Sequence, residues 1–219
     1  MICFVKIIIF LFFISLSLKI LFSLSDKKIL KYIFTPLTTF LVLLIPILTL
    51  FYGISSYRLF VLIGLLFSLI GDIFNMNKKK ENSQFIYGII AFLLTHLFYI
   101  FAFFQHYSFS YIQLFPALFL LITVIFIYNI FKKNISLKVL KFGVLIYIFI
   151  VSTMVFVAVG TFKRPVSFEI LLIPVGSILF WLSDLALGID AFYKKLKPGV
   201  LIVWGLYAPA QLLIALSTL

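Results

Sequence analysis

The chain has 219 residues, 65% of them hydrophobic and 11% charged, with a mean hydropathy of +1.30. That composition excludes a water-soluble globular domain, in which about a quarter of the residues are charged. The formal charge of +12 does not indicate a nucleic-acid binder, because the basic residues sit in short clusters between apolar runs and form no single stripe.

Eight apolar stretches follow one another: residues 2–24, 32–52, 58–76, 85–105, 110–131, 139–160, 168–190 and 199–218. Each has the length that roughly 30 Å of hydrocarbon requires. Each is expected to be helical, since backbone groups left unpaired in lipid are costly and no run shows the alternation of a barrel strand. The first stretch carries Lys6 but no A-x-A site follows it, so it reads as a span and not as a cleaved signal. The fold class expected is therefore all-α, a polytopic membrane protein forming a single bundle over residues 1–219. Cys3 has no second cysteine to pair with and tells nothing of compartment.

Orientation follows from the loop charges. Lys27, Lys28, Lys31, Lys78, Lys79, Lys80, Lys132, Lys133, Lys138, Lys141, Lys194, Lys195 and Lys197 fall at one end of the bundle, against Lys6, Arg58, Lys163 and Arg164 at the other. The lysine-rich end is expected in the cytoplasm and both termini outside it. Lys19, inside the first run, is long enough to reach the interface by snorkelling.

Four of the six acids have plain explanations. Asp26 and Glu81 stand among loop lysines, Glu169 opens the seventh run where the helix dipole favours an anion, and Asp190 lies at that run's exit. Asp72 (LLFSLIGDIFNM) and Asp184 (LFWLSDLALGIDAF) are left one to two turns inside spans three and seven. A charge there costs about 3 kcal/mol on insertion scales, so such acids face a bundle interior or a wet cavity. Gly64, Ser68, Gly71 and Asn75 recur around Asp72 at helical spacing and make a small, polar face; Ser177, Ser183 and Gly188 do the same for Asp184. His96 and Tyr99 in span four, and Tyr207 and Gln211 in span eight, can converge on the two acids. His106 belongs to a loop at the opposite end. Gly64 and Gly176 both precede their Asp by eight residues, and Gly88 and Gly199 precede His96 and Tyr207 by eight, an echo that suggests spans three and four are repeated by seven and eight.

These residues resemble the YhhN-like membrane proteins that include the animal lysoplasmalogenases. The match runs in order through TPLTT (Thr35 to Thr39), LLFSLIGD ending at Asp72, GIIAFLLTHLFY ending at Tyr99, Met154, GSILFWLSDLALGIDAF and LYAPAQLLIA. It departs at Thr35-Pro36, where Lys-Pro is frequent, and at Ala191, where a basic residue is. The resemblance implies an enzyme, a hydrolase acting on the vinyl ether bond of a lysophospholipid substrate within the bilayer. Such ethers hydrolyse by protonation at carbon and capture of an oxocarbenium ion by water. Two carboxyls in a dry site suit that chemistry, one keeping its proton while the other stays charged. Asp72, Asp184 and His96 are the catalytic candidates, with Tyr207, Gln211, Ser68, Tyr99 and Ser183 as substrate-binding candidates. No cofactor and no metal are called for, two histidines being too few for a three-His zinc site. No nucleic-acid or protein partner is inferred, and the location expected is the cell membrane. The rival reading is a proton-coupled carrier using the same acids, which helices broken at Pro46, Pro174 or Pro209 would favour. A third is a noncatalytic lipid-binding bundle.

Overall fold

The computed structural model describes residues 1–25, 28–76, 83–109, 111–133, 135, 138–162 and 168–219. Its helices are α1 (Ile2–Leu24), α2 (Lys28–Leu50), α3 (Ser56–Asn75), α4 (Ser83–Phe104), α5 (Leu114–Phe131), α6 (Lys138–Val159), α7 (Phe168–Phe192) and α8 (Gly199–Leu216). All eight are long and apolar enough to cross a membrane, and no strand occurs among the described residues. The chain is an all-helical integral membrane protein, as its apolar runs predict.

The helix ends differ from the apolar runs where polar side chains close loops. Residues 110–113 were expected to open the fifth span, but Tyr111–Gln113 form a single 3-10 turn. Gln113 there donates to the Ser108 carbonyl at 2.9 Å and accepts from the Tyr107 hydroxyl at 3.1 Å, so this segment belongs to the connection. Helix α7 runs past Asp190 to Phe192, and Asp190 accepts from the Lys195 ammonium at 2.8 Å and the Leu196 amide at 2.9 Å, closing the turn into α8. Arg58, counted above only as a loop charge, donates to the carbonyls of Gly53 at 2.8 Å and Thr218 at 2.9 Å and ties the chain end to the α2–α3 connection. His106 is exposed and packs edge-on against Tyr57. Asp26, Lys27, Lys78, Lys79, Lys80, Glu81, Lys163 and Arg164 lie outside the described residues.

The closest-packed helix pairs are α3 with α4 and α7 with α8. Helix α8 also meets α1, α2 and α3, while α6 joins α4, α5 and α7. Only 28% of the α1 window and 22% of the α5 window is buried, against 39–50% elsewhere, which makes these two the outer helices. Pro46, Pro174 and Pro209 stand inside continuous helices, so the breaks that would favour a carrier do not occur at these positions.

Small residues set the close approach at both tight pairs. A Cβ at Gly64 would stand 2.5 Å from the Tyr99 ring, one at Gly71 2.9 Å from Phe92, and one at Gly176 2.9 Å from Ile214. The echoed positions Gly64 and Gly176 thus do the same work in the two pairs. Gly64→Val is expected to push Tyr99 aside and destabilise the bundle by about 1–3 kcal/mol. Thermal unfolding in detergent measures this, and an unchanged melting temperature would show that the approach is not tight.

Candidate functional site

The two acids found in the sequence both line one cavity of about 110 Å³, which also touches Ser183 and Tyr207. It lies at the end of the bundle where α1, α3 and α7 finish and α2 and α8 begin, the end that carries the α7–α8 lysines. Room on that scale admits several waters. A second, apolar cavity of about 70 Å³ runs between α4, α5, α6 and α7, lined by Phe85, Ile127, Val144, Ile148 and Phe192 among others. The two cavities share Asn75, Phe92, Asp184 and Leu187, so Asp184 stands at the junction of a polar and an apolar chamber.

Asp72 is 4% exposed and sits on the α3 face that the small residues clear. Its Oδ2 accepts from the Tyr207 hydroxyl at 2.8 Å and from the Thr39 hydroxyl of α2. Behind Tyr207 the donors follow in one direction. Tyr99 donates to Oε1 of Gln211, the Gln211 amide donates to Ser68 Oγ, and Ser68 stands 2.6 Å from the Tyr207 oxygen, whose own proton goes to Asp72. Each link polarises the next, and two hydroxyls converge on one oxygen of Asp72. Ser68, Tyr99 and Gln211 are 0%, 0% and 1% exposed and line neither cavity.

Asp184 has different company. Its Oδ2 accepts from the Tyr147 hydroxyl of α6 at 2.9 Å and stands 2.9 Å from Nε2 of His96, a fully buried residue of α4. On the other side of that ring, Nδ1 is 3.3 Å from the Met154 sulfur. A thioether can only accept, so a hydrogen bond in this contact takes its proton from Nδ1. Nε2 also lies 3.2 Å from the Tyr147 hydroxyl, so His96, Tyr147 and Asp184 form one hydrogen-bonded cluster drawn from α4, α6 and α7. The ring is further wedged by Phe180, with centroids 4.6 Å apart, and by Tyr147 at 5.5 Å.

The pairing crosses the internal echo. The aspartate of α3 takes its tyrosine from α8, and the aspartate of α7 takes its histidine from α4. Of the residues singled out in the sequence, Asp72, Asp184, Tyr207 and Ser183 line the polar cavity, His96 reaches it through Asp184, and Ser68, Tyr99 and Gln211 support Tyr207 from behind. Thr39, Tyr147 and Met154 were not given roles from the sequence. Thr39 and Met154 lay in matched motifs without a polar spacing to mark them, and Tyr147 is one of 11 tyrosines in an otherwise apolar run. Among the described residues no three of His, Cys, Asp and Glu gather as a metal ion would require.

Tyr147→Phe keeps the ring and removes one donor from Asp184. The loss of one buried hydrogen bond is expected to destabilise the bundle by about 1–2 kcal/mol. Thermal unfolding in detergent measures it, and an unchanged melting temperature would show that Tyr147 does not help to hold Asp184.

The family model for the YhhN family matches residues 30–218. A protein of Dictyostelium discoideum described as a lysoplasmalogenase homolog is 28% identical over 156 residues, which cover 60% of this chain and 50% of that protein. The chain thus spans about half the length of the curated relative it matches. No solved structure matches.

Proposed function

The chain belongs to the YhhN family, and from that premise we propose that it is a membrane-embedded hydrolase that cleaves the vinyl ether bond of lysoplasmalogens, giving a fatty aldehyde and a glycerophospho-base. The observation that carries this reading is the junction at Asp184: a carboxyl 2.9 Å from Nε2 of His96, placed where an apolar chamber meets a polar one that also holds Asp72. A lysoplasmalogen has the same division, an alkenyl chain on one side of the ether oxygen and a glycerophosphate on the other. With the chain in the apolar chamber, the double bond lies at the junction.

The chemistry then divides between the acids. The His96–Asp184 pair gives its proton to the outer alkenyl carbon, and positive charge develops on the inner carbon and the ether oxygen. The Asp72 carboxylate, held in place by Thr39 and Tyr207, stabilises that cation. A water from the polar cavity adds to the inner carbon and returns a proton to Asp184. The hemiacetal collapses as Asp72 takes the hydroxyl proton and delivers it to the leaving glycerol oxygen, so one water is consumed and both acids are restored. Ser68, Tyr99 and Gln211 are positioning residues for Tyr207, while Ser183 and Tyr207 face the substrate. We place the protein in the cell membrane with the polar cavity at the cytoplasmic side, following the lysine distribution.

The test is to supply purified protein with a lysoplasmalogen in mixed micelles and to measure aldehyde release. Turnover is expected, and it should be absent with the saturated 1-alkyl analogue. No release from the intact protein, together with solute flux in proteoliposomes that depends on the two aspartates, would establish the carrier instead.

A further inference from the structure

Lys19 does not snorkel. It is 2% exposed, with its ammonium 3.5 Å from the centroid of the Trp204 ring on α8, and it lines the polar cavity together with Lys31 of α2. Around these two cations stand three buried polar atoms, Ser23 Oγ, Thr35 Oγ1 and Asn75 Oδ1, that have no hydrogen-bond partner among the described residues. All three residues line this same cavity, and Thr35 is 4% exposed. Buried polar groups are normally paired, so three orphans facing one chamber mark a place prepared for a ligand. Two ammonium groups and two hydroxyls are donors, which calls for an anion rich in acceptor oxygens. The orphaned amide oxygen is an acceptor, and it stands at the junction with the apolar chamber.

We propose that Lys19, Lys31, Ser23 and Thr35 form the subsite for the phosphodiester of a lysophospholipid, with the Asn75 amide oxygen accepting from the free glycerol hydroxyl beside it. The assignment rests on the lipid reading above and goes beyond it by naming what fixes the head group. Gln211, a substrate-binding candidate from the sequence, lies behind Tyr207 and lines neither cavity. The assignment also orders the substrate along the cavities: chain against Phe85 and Ile148, double bond at Asp184, glycerol at Asn75, phosphate at Lys19.

Equilibrium binding to the full chain in detergent tests it with ligands that cannot be hydrolysed, so that absence of turnover and absence of the subsite remain separate results. The probes are a 1-alkyl-lysophosphatidylcholine, the matching 1-alkylglycerol and inorganic phosphate. The phospholipid is expected to bind at least tenfold tighter than the alkylglycerol, and inorganic phosphate at millimolar levels should not displace it. Lys19→Met should erase about 10- to 100-fold of that preference, as the loss of a charged hydrogen-bonding group does. Thr35→Val should weaken the phospholipid alone by several-fold without lowering the melting temperature, because the hydroxyl has no partner to lose among the described residues. This second variant decides the matter if Lys19→Met does not fold. Equal binding of phospholipid and alkylglycerol to the wild type, or a preference untouched by both variants, would overturn the proposal. So would inorganic phosphate that competes fully, which would make the site one for the free ion.

Discussion

Asp184→Asn is expected to lower aldehyde release by about 10³-fold while the protein still folds. The amide has the shape of the carboxyl and can still accept from Tyr147, so the packing around His96 is retained. What disappears, in the proposed mechanism, is the acid that delivers a proton to the double bond, and positioned acids contribute typically 10²- to 10⁴-fold. The fall belongs in kcat, because neither chamber changes shape. His96→Gln should follow with a smaller loss, since the carboxyl remains. A loss below tenfold for Asp184→Asn, with an unchanged melting temperature, would place the proton elsewhere.

Asp72→Asn is the second large effect, with a fall in turnover of about 10²- to 10³-fold, the scale of removing a preorganised electrostatic stabiliser. The amide oxygen can still accept from Thr39 and Tyr207, so the hydroxyl chain back to Tyr99 keeps its direction. KM should change little, because in the proposed mechanism Asp72 meets charge that exists only in the transition state. The double variant should be far less than additively impaired if the two acids act as a unit. A KM effect with normal kcat would make Asp72 a binding group and remove it from the chemistry.

Much of the arrangement was legible in the sequence because lipid makes certain residues conspicuous. Runs of about 20 apolar residues have one use, and they gave all eight helices. Asp72, Asp184 and His96 stood out because ionisable groups inside such runs need a reason, and Gly64 and Gly71 before Asp72 announced the face on which α4 packs. Residues that are ordinary in an apolar helix were not legible. Nothing in the run containing Tyr147 separates it from the other tyrosines, and its bond to Asp184 depends on how α6 is rotated. Lys19 failed for a related reason. A lysine near a helix end has two physically sound destinations, the interface or a polar interior, and only its neighbours on α8 decide between them. That Ser68, Tyr99 and Gln211 lie behind Tyr207 and line neither cavity was not legible, because spacing along one helix cannot report depth. The α5 boundary was misplaced because Gln113 is spent on closing a loop, a use that only the fold brings about.

The central claim is that a proton from the His96–Asp184 pair is delivered to carbon within an enclosed site. It is tested most directly by running the hydrolysis in D₂O, trapping the aldehyde at once by reduction to the alcohol, and determining the label at the carbon next to the carbinol. The account predicts a single deuterium there, on one face only, because the donor stands on one side of the double bond. An equal mixture of both configurations in the trapped product would mean that an enol leaves the protein and is protonated in solution, and would contradict it.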